Sequence, residues 1–206
     1  MYILFKIIEL SNMLTQWIQK FQNAFSRGVF PHELAFLIDN PVRKLLLSPA
    51  QLAARLPLTN AARVLEVGAG SGFYSVEVVR QIPHGHHVLL DLQPEMLVKA
   101  KRKLAAEGLN NVGNIVADAG AFPFKENTFD VIYLITVFGE IATQQLFLTE
   151  ARCVLKPGGT LSISEHYPDP DFSSFKKVKL LVEKEGFEFS TRYGAAWNYT
   201  ANFSKT

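Results

Sequence analysis

The chain is predicted to fold as a doubly wound α/β protein. Its seven-stranded, mostly parallel sheet would end in an antiparallel C-terminal hairpin and follow an N-terminal helical extension. Three observations carry this expectation. From residue 63 onward, short apolar runs alternate with stretches of helical spacing, the pattern of parallel strands joined by crossover helices. The first run, Arg63 to Val67, enters glycines without a spacer, at Gly68, Gly70 and Gly72. The last two runs, 187–193 and 196–203, are separated only by a turn at Gly194, which permits antiparallel pairing alone.

Taken in order, residues 1–26 carry a continuous apolar stripe through Ile3, Ile7, Leu10, Leu14, Trp17 and Phe21, with Glu9, Gln16, Gln19 and Gln22 opposite. This is an amphipathic helix. Three roles compete for it: packing on the chain's own domain as a strap or lid, docking on a partner, or peripheral membrane contact. Shorter helices are expected over 32–38 and 42–47. Ser48, Pro49 and Gln51 then signal another start, with a cap, a proline in the first turn and a glutamine three residues on. Residues 1–60 are thus expected as an N-terminal helical cap, and residues 61–206 as the ligand-binding domain.

After the glycine turn, helical spacing runs over 73–81. His87 to Asp91 is a second buried strand, Pro94 to Leu104 a helix closing at Gly108, Asn111 to Val116 a third strand, and Phe129 to Ile135 a fourth. A helix over 143–155 is expected to stop at Lys156-Pro157-Gly158-Gly159, before a fifth strand from Thr160 to Glu165 and a helix over 172–185.

Composition narrows the classes. Of 206 residues, 48% are apolar and 19% charged, as in an ordinary globular domain, and the net charge of +2 gives no general attraction to polyanions. Nucleic acid is not expected as a partner. The single Cys153 excludes an internal disulfide and a cysteine-based zinc cluster, and its helical setting suggests a buried core thiol. The apolar opening from Met1 to Leu10 is interrupted by Lys6 and Glu9, too short for a membrane span and unlike a signal peptide. A cytoplasmic location, peripheral at the membrane if residues 1–26 dock there, is the expectation. His84, His86 and His87 fall between a helix and a strand, on the edge away from the site. They read as a surface turn, and no metal is expected.

In a sheet of this kind ligands bind beyond the carboxyl ends of the strands. Gly68, Gly70 and Gly72 let a ligand approach the backbone, and amides of the following helix start are expected to point into the site. The spacing departs from the dinucleotide fingerprint: Phe73 stands where its third glycine would be, and Glu66 would repel a pyrophosphate but attract a cation. Asp91, 21 residues after Gly70, is placed to accept the hydroxyls of a ribose. Asp118 follows the third strand at a depth suited to an adenine amine. Thr136 and Val137 end the fourth strand, over the reacting end of the ligand.

The runs Glu66-Val-Gly-Ala-Gly-Ser-Gly72, Leu90-Asp-Leu-Gln-Pro94, Ala117-Asp-Ala119, Phe129-Asp-Val-Ile132 and Leu155-Lys-Pro-Gly-Gly-Thr-Leu161 resemble successive motifs of the class I S-adenosylmethionine-dependent methyltransferases, which have a Rossmann-like fold. The likeness is strongest to the small-molecule branch that contains the quinone C-methyltransferases and covers about residues 61–165. It implies that S-adenosylmethionine is the cofactor. Gly68, Ala69, Gly70 and Gly72 would cradle its methionine part, with Glu66 near the ammonium. Asp91 would take the ribose hydroxyls, Leu92 the adenine face and Asp118 the adenine N6, with Ala119 and Thr136 also among the cofactor-binding residues.

Such a cofactor carries a sulfonium, so methyl transfer is an in-line displacement with a neutral leaving group, and the protein supplies mainly alignment. An oxygen or nitrogen acceptor would also need a general base. The candidates are His166 and Glu165 at the fifth strand end, Glu140 after the fourth, and His32, with His166 and Glu140 foremost. No Asn-Pro-Pro-Tyr tetrapeptide follows the fourth strand, unlike the branches that methylate adenine or glutamine amides. Phe138, Ile141, Trp197, Tyr199 and Phe203 point to an apolar or lipid-like acceptor, although such aromatics also serve as core. A non-catalytic cofactor-binding subunit is the alternative function. An NAD-dependent oxidoreductase is a third, weakened by Phe73.

Overall fold

Ser48 starts the first helix described here as the spacing predicts. Its hydroxyl accepts from the Gln51 amide at 3.1 Å, and the Gln51 side chain accepts from the Ser48 amide at 3.1 Å, with Pro49 in the first turn. Such a reciprocal cap stabilises a helix start by about 1 kcal/mol. In the computed structural model, residues 47–206 are described. The amphipathic stretch 1–26, His32, the expected helix over 32–38 and all of the one over 42–47 except Leu47 lie outside them.

The helix α1 spans Pro49–Arg55 and is followed by β1 (Arg63–Val67), α2 (Ser75–Gln81), β2 (His86–Asp91), α3 (Pro94–Ala106), β3 (Val112–Val116), β4 (Phe129–Ile135), α4 (Gln144–Val154), β5 (Leu155–His166), α5 (Phe175–Lys184), β6 (Phe187–Ala195) and β7 (Asn198–Lys205). One sheet in the order β3-β2-β1-β4-β5-β7-β6 contains all seven strands. β1 to β5 pair in parallel, while β7 runs antiparallel between β5 and β6. The strand order reverses between β1 and β4, so the carboxyl ends of β1, β2 and β4 open onto one crevice.

Both faces of the sheet are covered, which is why β1, β2 and β4 read as near-continuous apolar runs. Leu65 and Val67 of β1 join Ile132, Leu134, Phe147, Leu148 and Val154 in the larger core, under α4 and α5. On the opposite face Val64, Val131, Tyr133 and Ile135 pack with Leu47, Leu52 and Leu56 of the α1 region and Val78 of α2. Leu97, Ala100 and Leu104 of α3 close the sheet beside β2 through Leu89.

Several local expectations are corrected. The fifth strand begins at Leu155, not Thr160: the Lys-Pro-Gly-Gly segment stays in the sheet, with Gly158 at φ +73° and a register shift between Phe129 and Val131 of the partner strand. Glycines here serve a bulge rather than a stop. The helix expected from Phe73 starts at Ser75, and the one expected from Phe172 starts at Phe175. The final hairpin turns at Ala196 and Trp197, and Gly194 lies within β6. Cys153 is exposed, because α4 turns its Phe147, Leu148, Ala151 and Val154 stripe inward and leaves position 153 on the outer side. His87 is the reverse case, fully buried in β2 rather than on a surface turn.

Candidate functional site

Beyond the carboxyl ends of β1, β2 and β4 lies a cavity of about 610 Å³. Glu66, Gly68, Ala69, Gly70, Asp91, Leu92, Asp118, Ala119, Thr136, Glu140 and His166 all line it, so eleven of the twelve residues assigned to the cofactor or placed foremost for catalysis share one space. The twelfth, Gly72, stands just behind. A β-carbon there would come 2.9 Å from Ala100 Cβ, so its absence lets α3 pack against the loop.

The glycine loop's own amides are bonded within the protein. The Gly68 and Ala69 amides both donate to the Leu90 carbonyl, at 2.8 and 3.2 Å. The Gly70 amide donates to Asp91 Oδ2 at 2.8 Å, and that of Gly72 to the Ala69 carbonyl at 3.0 Å. These amides are spent inside the protein, so the loop gives close approach without an anion site. That favours a ligand without a pyrophosphate over a dinucleotide. Gly68, Gly70 and Gly72 all have positive φ, +68°, +54° and +74°, which few other residues adopt without cost.

Asp91 is the hinge of the site. Besides the Gly70 bond, its Oδ1 accepts from the Gln93 amide at 2.9 Å, which turns the carboxylate to the cavity at the end of β2. Burial pushes its pKa up, against the pull of the amides of Gln93, Gly70 and Leu92. Leu92, 50% exposed, lies on the rim. Asp118 comes two residues after β3 ends and accepts from the Gly120 amide at 2.7 Å, closing a tight turn at the cavity wall.

β4 ends in a strained corner. Thr136 takes φ +54°, uncommon for a β-branched residue. Its hydroxyl donates to the Ile135 carbonyl at 2.7 Å and its amide to Ser164 of β5 at 2.8 Å. Val137 then lies against Gly68, and Gly139 packs so tightly on the Asp171 carbonyl that no side chain fits there. This contact brings Glu140 close to the segment after β5. Burial, and then the carboxylates of Asp169, Asp171, Asp91 and Glu165, push the Glu140 pKa up to about 8.

His166, the last residue of β5, is buried and faces the cavity, as does Asp169. Glu165 does not line it: its Oε2 accepts from the Ser173 amide at 3.1 Å, and burial pushes its pKa up to about 8 as well. The aromatic residues divide. Phe138, Tyr199 and Phe203 are core and Trp197 is exposed at the hairpin, leaving Ile141 as the member of that group on the wall. Phe73 and Leu146, not expected there, add apolar wall. Nor did sequence reasoning find Ser75, Tyr133 and His87, buried beneath Glu66; a histidine inside the apolar run of β2 was the available signal. Among the described residues, no group of three histidine, cysteine or acidic side chains is arranged to hold a metal ion.

A family model described as "Methyltransferase domain" matches residues 58–194. The chain belongs to the class I S-adenosylmethionine-dependent methyltransferases. Its cofactor is S-adenosylmethionine, and the residues present suit it: an internally bonded glycine loop, an acid beneath it and a buried carboxylate at the end of β2.

A ubiquinone/menaquinone biosynthesis C-methyltransferase of Ruegeria sp. is 38% identical over 104 residues, covering 50% of this chain and 42% of the relative. A demethylmenaquinone methyltransferase of Thermus thermophilus is 35% identical over 108 residues, 52% of this chain and 49% of its own length. The chain thus spans less than half of these curated relatives. A solved S-adenosylmethionine-dependent methyltransferase from Aquifex aeolicus superposes with a TM-score of 0.79 at 25% identity, over 86% of this chain and all of that one. The [4+2]-cyclase SpnF shares the fold at 18% identity, with a TM-score of 0.68 over 76% of this chain and 79% of its own. The fold alone therefore does not name a reaction.

Proposed function

We propose that the chain transfers a methyl group to a ring carbon of a small, apolar, hydroxylated aromatic acceptor of the quinol class. The observation that carries this is the placement of Glu140 and His166 in the same cavity as the glycine loop and Asp91, beside the apolar walls of Phe73, Ile141 and Leu146. The names of the relatives matched over residues of the same domain support the acceptor class.

When bound, S-adenosylmethionine supplies an electrophilic methyl group on a sulfonium, which passes in line to the acceptor carbon. The chain's residues do the rest. Glu66 would face the ammonium, Asp91 the ribose hydroxyls, Leu92 one face of the adenine, and Asp118 with Ala119 its edge. Gly68, Ala69, Gly70 and Gly72 set how closely the backbone approaches, and Thr136 closes the methyl-bearing end. Alignment of this kind lowers a barrier by on the order of 7–11 kcal/mol.

A phenolic ring carbon is a weak nucleophile until its hydroxyl loses a proton. Glu140, with its proton affinity raised to about 8, is suited to take that proton, and His166 is the second candidate. The carbon–methyl bond forms as the sulfur–methyl bond breaks. The hydrogen displaced from the ring carbon then leaves as a proton, and the hydroxyl is restored. In the same proposal residues 1–26 meet the membrane that holds an apolar quinol. Among the described residues no helix is long and apolar enough to cross a membrane.

The test is transfer from labelled S-adenosylmethionine to a reduced quinol lacking the ring methyl, presented in mixed micelles. Label is expected on ring carbon. Tight cofactor binding with no label in the quinol, or label on oxygen, would overturn the assignment.

A further inference from the structure

β2 and β4 flank β1, and the register pairs Val64 with His87 and Glu66 with Tyr133. All these side chains project from one face of the sheet, so His87 and Tyr133 reach over β1 from its two sides. Their rings lie parallel, 4° apart in plane, with centroids separated by 5.8 Å. The Tyr133 hydroxyl is 3.2 Å from His87 Nε2, and Nε2 is 3.7 Å from Glu66 Oε2. From α2, Ser75 donates its hydroxyl proton to the same carboxylate oxygen at 2.5 Å. All four side chains are buried, and Glu66 alone of the four also reaches the cavity.

A carboxylate withdrawn from water needs donors, and each one missing is costly. The protons can be placed. Burial, and then the charge and hydrogen bond of Glu66, keep Tyr133 a phenol, with one proton to give. Burial holds His87 neutral, with its pKa down to about 3, so its ring carries one proton for two nitrogens. Nδ1 has no partner among the described residues. A proton on Nδ1 would therefore leave a buried N–H orphaned, a rare arrangement. On Nε2 it points at the Tyr133 oxygen, freeing the phenol proton for Glu66. Every donor then runs toward one carboxylate.

We propose that His87 is a positioning residue of the cofactor site, acting through Tyr133 and alongside Ser75 to fix the Glu66 carboxylate toward the cavity, where it receives the cationic amino-acid end of the cofactor. This rests on the role given to Glu66 above. No contact between His87 and any ligand is required, and the cavity wall hides the device completely.

Calorimetric titration with two ligands separates positioning from general support. S-adenosylhomocysteine has the amino-acid end; 5′-methylthioadenosine keeps the nucleoside and thioether without it. His87→Leu should weaken the first at least tenfold and the second by less than twofold. His87→Gln, which restores an N–H near the same point, should recover most of the loss. Equal weakening of both ligands, or unchanged S-adenosylhomocysteine affinity, overturns the proposal. Should His87→Leu not fold, Tyr133→Phe removes one oxygen from the same chain of donors. Its preference for S-adenosylhomocysteine must fall, and an unchanged preference overturns the proposal equally. A wild-type protein that shows this preference but transfers no methyl would refute the activity proposed above and leave the role of His87 standing. One that binds neither ligand refutes both.

Discussion

The Gly68 backbone lies directly against the isopropyl group of Val137: a β-carbon at position 68 would stand 2.5 Å from Val137 Cγ2 and 2.9 Å from Cγ1. The first loop of the site and the corner after β4 are thereby locked together. Gly68→Ala meets two penalties, the left-handed φ of +68° and this clash, together about 2–4 kcal/mol of stability. The same change should weaken S-adenosylhomocysteine binding at least tenfold, measured by calorimetry. Adding Val137→Ala should recover the steric part and leave the conformational part. Gly108, with φ +72° but open space around it, is the control: Gly108→Ala should cost about 1 kcal/mol and leave affinity unchanged.

Asp91 holds two amides and also faces the cavity, so its loss should be felt twice. Asp91→Ala is expected to reduce affinity for S-adenosylhomocysteine and for 5′-methylthioadenosine alike, each at least tenfold, because both carry the ribose. It should also lower stability by about 2 kcal/mol through the two lost charge-assisted bonds. Unchanged affinity for either ligand in an otherwise folded variant would remove Asp91 from the ribose role.

The seven strands and the cluster of site residues were legible because both depend on local pattern. A buried parallel strand needs a continuous apolar run, and the candidate residue sits at its carboxyl end: Glu66 next to last in β1, Asp91 last in β2 and Thr136 one past β4. What sequence could not show was the use of each backbone amide. Gly68 and Ala69 turn back to Leu90, a residue 22 positions from Gly68, and only the sheet brings them together. His87 was misplaced because histidines at 84, 86 and 87 look alike in a row, yet β2 begins among them and buries the last. The Lys-Pro-Gly-Gly segment has turn chemistry, and its retention in β5 as a bulge depends on pairing with β4.

Cys153 lies on the outer side of α4, so its thiol should react with a colourless disulfide reagent in the folded protein, without denaturant. Cys153→Ser should change stability by less than about 0.5 kcal/mol, as expected of an exposed position. Protection of the thiol until unfolding, followed by urea titration, would restore the core assignment.

Burial of neutral His87 predicts acid sensitivity. Its folded pKa lies near 3 and its ordinary value near 6.5, so the unfolded chain binds the extra proton between those limits. Stability from this group is complete above pH 6.5 and is lost as pH falls toward 3. Urea midpoints measured from pH 7 to pH 4.5 should therefore drop, and His87→Leu should make the decline shallower while lowering stability at pH 7. An identical slope in the two proteins would place the acid sensitivity elsewhere.

Glu140 gives the opposite sign. Its folded pKa of about 8 lies above the ordinary 4.5, so the folded chain keeps a proton that the unfolded chain has released. Its contribution to stability is full below 4.5 and lost as pH rises to about 8. Glu165, also near 8, adds to the same decline. Glu140→Gln should therefore raise the urea midpoint at pH 8.5 more than at pH 5. If Glu140 is the base, activity moves the other way: kcat/KM rises with pH and levels above about 8, since only the carboxylate accepts a proton. Glu140→Gln should abolish that rise and lower kcat about a hundredfold, within the range for loss of a general base. A variant that gains stability at alkaline pH yet keeps the full pH–rate profile would leave Glu140 a buried acid without a catalytic task and pass the role to His166.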